Sequence, residues 1–118
     1  MTLTWEQTVI DAQDPRALGQ WWARALEWAI TVDTEDEFEI RRAGDVEPAL
    51  LFLPVSDAKV VKNRLHIDLR PDDQDAEVAR LLTLGARRID VGQDGVSWVV
   101  LADPEGNEFC VLSSRPTA

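Results

Sequence analysis

Hydrophobic positions along this chain change period several times, and the order of those changes occurs twice. The segment Trp5–Ala12 opens with strand character from Val9 and Ile10. Asp14 followed by Pro15 marks a helix start, because an aspartate can cap free N–H groups and a proline at the first helical position loses no bond that would have formed. Leu18, Trp21, Trp22, Ala25 and Leu26 then recur at the three-and-four spacing of a helix with one buried face. Three short strands fit the residues that follow: Trp28–Asp33, Phe38–Arg41 and the apolar run Ala49–Val55. Trp21 and Trp22 are adjacent on the helix, so one is expected to point inward and the other to cover a subunit contact. The acidic run Asp33–Glu39 is expected to form an exposed hairpin face.

The second half repeats the order. Leu65, Ile67 and Leu69 alternate with Arg64, His66, Asp68 and Arg70, the period of a half-buried strand. Asp72, Asp73 and Asp75 favour a helix N-terminus electrostatically. Val78, Leu81 and Leu82 supply the buried stripe of that helix, and Gly85 is a natural stop. Strands fit Arg87–Val91, Val96–Ala102 and Glu108–Ser113, with turns at Gln93-Asp94-Gly95 and at Asp103-Pro104-Glu105-Gly106-Asn107.

A single offset of 59 residues carries Gln7 onto His66 and Asp14 onto Asp73. The predicted fold is therefore α+β, two β-α-β-β-β modules at about residues 3–57 and 62–114 of one domain spanning 1–118. Neither half is large enough to bury much core alone, so the copies are expected to pack across a pseudo-two-fold axis. The competing architecture is a ferredoxin-like or other α+β sandwich.

Composition narrows the partners. A hydrophobic fraction of 45% and a charged fraction of 29% belong to an ordinary globular protein. The formal net charge of −10 repels phosphate backbones and anionic membranes, which argues against nucleic acid and membrane surfaces as partners. An acidic small molecule stays open, since Lys62, Arg64 and Arg70 lie in one segment. The one cysteine, Cys110, has no internal disulfide partner. The start MTLTWEQTV lacks the basic and apolar regions of a signal peptide, and no stretch reaches the roughly 18–20 apolar residues of a membrane span, so a cytoplasmic location is expected.

Two motifs carry a family resemblance. KNRLHIDL (Lys62–Leu69) and DPEGNEFCVL (Asp103–Leu112), with Asp14-Pro15-Arg16-Ala17-Leu18 and Trp21-Trp22 of the first helix, are similar to the bacterial glyoxalase-like proteins of the vicinal-oxygen-chelate superfamily. That superfamily includes glyoxalase I, bleomycin-resistance proteins and extradiol dioxygenases. The resemblance implies strands that curl into a shared cup with helices outside. In metal-using members, four side chains from the first and last strands of the two modules meet there, and a divalent metal acts as Lewis acid.

Carried over residue by residue, those positions are Gln7, His66, Cys110 and the neighbourhood of Leu51. Gln7 and His66 are acceptable ligands. Cys110 stands where a carboxylate is usual, seven residues after Asp103, and Leu51 and its neighbours Ala49, Leu50, Phe52 and Leu53 are apolar. Glu108 points to the same strand face as Cys110 but is out of register by about 7 Å. No metal is therefore favoured, with a divalent ion on His66 and Gln7 as the alternative. Without one, His66 is a polar wall residue held by Asp68 or water, and Cys110 a small buried hydrophobe.

The same residues admit other chemistry. His66 could serve alone as a general base, with Asp11, Asp68 or Glu108 orienting it, or could activate Cys110 as a nucleophile. Arg64 and Arg70 could receive a carboxylate or phosphate, against internal salt bridging as the simpler role. Trp5 and Trp98 could stack on a planar ligand. The expected cleft is lined by Trp5, Gln7, Arg64, Asp68, Trp98, Glu108 and Cys110, with His66 as the catalytic candidate. The expected function is binding of a small organic molecule at a degraded metal site, by sequestration as in bleomycin-resistance proteins. A lyase, isomerase or dioxygenase-like enzyme using His66 is the alternative, and a protein-interaction module the third. A homodimer is implied by the resemblance.

Overall fold

The computed structural model describes residues 3–89 and 95–116. The chain divides into two compact units, with the boundary between Ala58 and Lys59. In the first, β1 (Gln7–Ala12), α1 (Pro15–Leu26), β2 (Ala29–Asp33), β3 (Phe38–Arg41) and β4 (Ala49–Pro54) follow in order. In the second, β5 (Ile67–Leu69), α2 (Gln74–Leu84), β6 (Arg87–Arg88), β7 (Val99–Ala102) and β8 (Glu108–Val111) repeat it. The sheets have matching strand orders, β1-β4-β3-β2 and β5-β8-β7-β6. In each, the module's first strand runs parallel to its last, and the remaining pairings are antiparallel. This is an α+β architecture, with two separate mixed sheets among the described residues rather than one continuous sheet.

The repeat is visible in the register itself. Val9 stands opposite Leu51 in the first unit and Asp68 opposite Cys110 in the second, so the 59-residue offset holds pair by pair. Both helices also begin alike. Asp14 accepts a hydrogen bond from the Ala17 N–H and Asp73 one from the Ala76 N–H, each at 3.1 Å. Gly85 closes α2 in the left-handed region at φ 114°, whereas Glu27 closes α1 there at φ 58°.

The core of the first unit lies between α1 and one sheet face. Phe38, Ile40 and Phe52 are fully buried, and Trp21 and Trp22 are each only 2% exposed. The two indoles pack edge to face with centroids 5.1 Å apart. The expectation that one of them would turn outward is thus corrected. Gly19 lets α1 approach the sheet closely, since a Cβ there would sit 2.1 Å from Cδ1 of Phe38. In the second unit Val78, Leu81, Leu101, Phe109 and Val111 are buried, while Leu82 is half-buried.

Several strands are shorter than their hydrophobic pattern suggested. β1 starts at Gln7, leaving Trp5 67% exposed. β5 starts at Ile67, and Leu65 is 87% exposed. The cause is the neighbour. Ile67 pairs with Phe109, so Leu65 would face Asn107, whose backbone is committed to the turn through Asp103. β7 begins at Val99 rather than Val96, and β8 ends at Val111 rather than Ser113. β2 and β4 are each one residue shorter than expected. The end of the strand expected at Arg87–Val91, and Gln93-Asp94 of the following turn, lie outside the described residues. Within the acidic run, Asp33 pairs with Arg16 at 2.7 Å, Phe38 is fully buried and Glu39 half-buried, so the run is not a uniformly exposed face.

Gly19→Ala is expected to destabilise the protein. Alanine gains about 1 kcal/mol of helix propensity. Overpacking against the immobile Phe38 costs about 2–3 kcal/mol, and urea unfolding should show a lowered midpoint that Gly19→Ala/Phe38→Leu largely restores.

Candidate functional site

Strand alternation and the β5–β8 register together build the site. Residues opposite one another in a parallel pair project to the same face, and residues two apart on one strand share that face. Asp68 and Cys110 are opposite partners, and His66 precedes Asp68 by two. Which face this is follows from the repeat. Phe38 meets Gly19 of α1 and pairs with Phe52, so Phe52 lies on the helix-covered face and Leu51 on the other. Val111 and Cys110 are the counterparts of Phe52 and Leu51, so Cys110 lies on the face of the second sheet turned away from its helix.

There the three side chains converge. His66 Nε2 is 3.1 Å from Asp68 Oδ1, and one ligating atom from each of His66, Asp68 and Cys110 lies within 4.8 Å of the others. Cys110 is buried, whereas His66 and Asp68 keep 43% and 49% of their side chains exposed. Burial pushes the Cys110 thiol above its usual range of 9.0, and the adjacent Asp68 charge and its hydrogen bond to the thiol add to this, with Lys62 opposing. The thiol form therefore dominates at neutral pH, which leaves a Cys110 nucleophile poorly activated in this setting.

Glu108 shares the face but is otherwise engaged. Its carboxylate accepts from the Asn63 N–H at 2.6 Å and pairs with Lys59 at 2.5 Å. Burial raises its pKa, yet Lys59 and the Asn63 N–H outweigh that and hold it below the ordinary carboxylate value. Arg70 donates through Nη1 to the Ser113 carbonyl and hydroxyl, which fastens the chain after β8. Arg64 is exposed, and Trp98 is 41% exposed just before β7. Asp103, in the second motif, is fully buried and accepts from the Glu105 and Asn107 N–H groups and the Asn107 amide, which makes DPEGN a structural turn.

The equivalent face of the first unit is chemically different. Gln7 pairs with Ala49, Val9 with Leu51, and exposed Asp11 with Leu53. Its polar chemistry sits on β3 instead. Arg41 Nε donates to Glu39 at 3.0 Å, Arg41 Nη2 reaches Glu6 at 3.1 Å, and the Thr31 hydroxyl donates to Glu39 at 2.7 Å. The Arg41 hydrogen bond is the largest influence lowering the Glu39 pKa, against desolvation by burial. The period-two spacing of Glu39 and Arg41 signalled this pair. Nothing in the sequence tied Lys59 to Glu108.

Of the four positions that the resemblance assigns to a metal, Leu51 offers only hydrocarbon and Gln7 a neutral amide oxygen. The residues do not fit that quartet.

A family model described as "Glyoxalase-like domain" matches residues 7–112. No curated protein matches. Among solved structures, a glyoxalase/bleomycin resistance protein/dioxygenase family enzyme from Burkholderia phytofirmans PsJN is similar at TM-score 0.72 and 16% identity, covering 96% of this chain and 100% of that one. TnmS3, an antibiotic binding protein from Streptomyces sp. CB03234, has TM-score 0.65 and 16% identity over 98% and 99%. The bleomycin-binding protein from Streptomyces verticillus, complexed with copper(II)-bleomycin, has TM-score 0.64 and 17% identity over 98% and 99%. Among the described residues, no helix is long and apolar enough to cross a membrane.

Because burial, and after it Asp68, keeps the Cys110 thiol protonated, alkylation of Cys110 by iodoacetamide should be slow at pH 7 and rise only above pH 9. Asp68→Asn should move that rise to lower pH, and an unshifted profile would show that Asp68 does not act on the thiol.

Proposed function

The chain belongs to the glyoxalase-like domain family, and from that premise we propose that it binds a small organic molecule on the helix-free face of its second sheet, without turning it over. The observation that carries this reading is the convergence of His66, Asp68 and Cys110 on one sheet face. Imidazole and carboxylate are hydrogen-bonding groups open to solvent, while Val100, opposite Cys110 on β7, is apolar. A few placed polar groups on an apolar wall suit an organic ligand that carries hydrogen-bonding functions. The absence of a fitting metal quartet supports sequestration over Lewis-acid chemistry, as do the two antibiotic-binding structural neighbours. The proposal extends to a homodimer, which is supported by the exposure of Val60, Val61 and Leu65 in one short stretch, at 90%, 76% and 87%.

A second reading rests on the 3.1 Å contact between His66 and Asp68. A carboxylate that orients an imidazole is the arrangement a general base needs. In that case His66 would take a proton from a bound substrate, and the family's lyase or isomerase chemistry would follow.

Tryptophan fluorescence titrated with a panel of aromatic compounds and antibiotics, bleomycin among them, tests the binding reading. A saturable change is expected for at least one compound, weakened about tenfold or more by His66→Ala, a loss of about 1.4 kcal/mol. The compound should be recovered unchanged. A chemically altered compound would favour the general-base reading, and silence across the panel would contradict both.

A further inference from the structure

We infer that the segment Lys59–Asn63 is a strap latched by the Glu108 carboxylate, which opens and closes beside the candidate site while the second sheet stays folded. The inference goes beyond small-molecule binding and does not depend on it.

The strap has little else to hold it. Residues 55–66 form no helix or strand, and among the described residues Lys59–Asn63 make no backbone-to-backbone hydrogen bond. Burial contributes little, since Val60, Val61 and Lys62 are all exposed. A segment with few buried contacts and no ladder bonds lies at the low end of local stability, so it opens before the sheet does.

What fastens it is concentrated on one side chain. Glu108 Oε1 accepts from the Asn63 N–H at 2.6 Å, and Oε2 pairs with the Lys59 ammonium at 2.5 Å. Both ends of the strap are thus gripped by the two oxygens of a single carboxylate. Lys59 and Glu108 keep only 19% and 11% of their side chains exposed, so this pair is better shielded from water than an ordinary surface pair. Lys59 Nζ also donates to the Val61 carbonyl at 2.6 Å, which folds the strap back on itself. The remaining tie is a neutral bond of 3.2 Å from Asn63 Nδ2 to Asn107 Oδ1.

The anchor is rigid where the strap is not. Glu108 opens β8, whose next residues Phe109, Cys110 and Val111 are buried and paired with β5 on one side and β7 on the other. Lys62 lies between the two gripped residues, and its charge reaches the Cys110 thiol. The closed latch therefore sets a cation beside the candidate site, and the open latch withdraws it.

The test is amide hydrogen exchange on the full chain, read residue by residue by NMR. In the unaltered chain the Asn63 amide should be protected, while those of Val60, Val61 and Lys62 exchange freely. Glu108→Ala should speed Asn63 exchange at least about tenfold, the factor carried by one charge-assisted hydrogen bond. Exchange at Phe109 and Val111 should not change. Glu108→Gln, which keeps an oxygen for Asn63 but no charge for Lys59, should fall between. Lys59→Met, placed on the strap itself, should also speed Asn63 exchange and should add nothing to Glu108→Ala. Dilute and concentrated protein should give the same rates, because the latch lies within one chain. Free exchange at Asn63 in the unaltered chain, protection lost on dilution, or Phe109 and Val111 loosened as much as Asn63 would each overturn the inference.

Discussion

The parallel pairing of each module's first strand with its last determines everything at the candidate site. A parallel neighbour brings residues distant in sequence to one spot on one sheet face, at a register that a one-residue slip would invert. In the first unit the pairing of β1 with β4 is six residues long and sets Val9 opposite Leu51 at the equivalent position. In the second, the pairing of β5 with β8 is only three residues long, and it sets a carboxylate opposite a thiol. What fixes this short register is the packing on the other face, where Phe109 and Val111 are almost wholly buried. A slip would turn those side chains off the helix-covered face and bring Cys110 onto it. The site is thus held by hydrophobic burial on the face it does not occupy.

The two units therefore illustrate one scaffold with two outcomes. Their helix caps, strand orders and registers coincide, so the backbone provides two equivalent positions for donors. Side-chain identity fills one with His66, Asp68 and Cys110 and leaves the other with Gln7, Val9 and Leu51. In the first unit, charge has moved to β3, where Arg41 joins Glu39 and Glu6. That network is satisfied internally, whereas His66 and Asp68 remain open to solvent.

Much of this was legible in the chain. The Asp-capped helices, the turn at Asp103, the 59-residue offset and the absence of a donor at Leu51 follow from residue type and spacing. Strand ends were less legible, because they depend on a partner's state. Leu65 continues the alternation of β5 in sequence, but its would-be partner Asn107 is bound into a turn. The inward packing of both Trp21 and Trp22 depends on what surrounds α1 and on their edge-to-face contact, neither of which helix spacing reveals. Asp68 was visible as a neighbour of His66. Its role as the hub that reaches both His66 and Cys110 needed the register to one-residue precision.

The central claim is that the β5–β8 register brings His66, Asp68 and Cys110 together in the second unit. A crystal structure of the protein tests it most directly. The account predicts Nε2 of His66 against the Asp68 carboxylate and the Cys110 sulfur beside that carboxylate, on the sheet face turned away from α2. A His66 turned away from Cys110, or a β5–β8 pairing slipped by one residue, would contradict it.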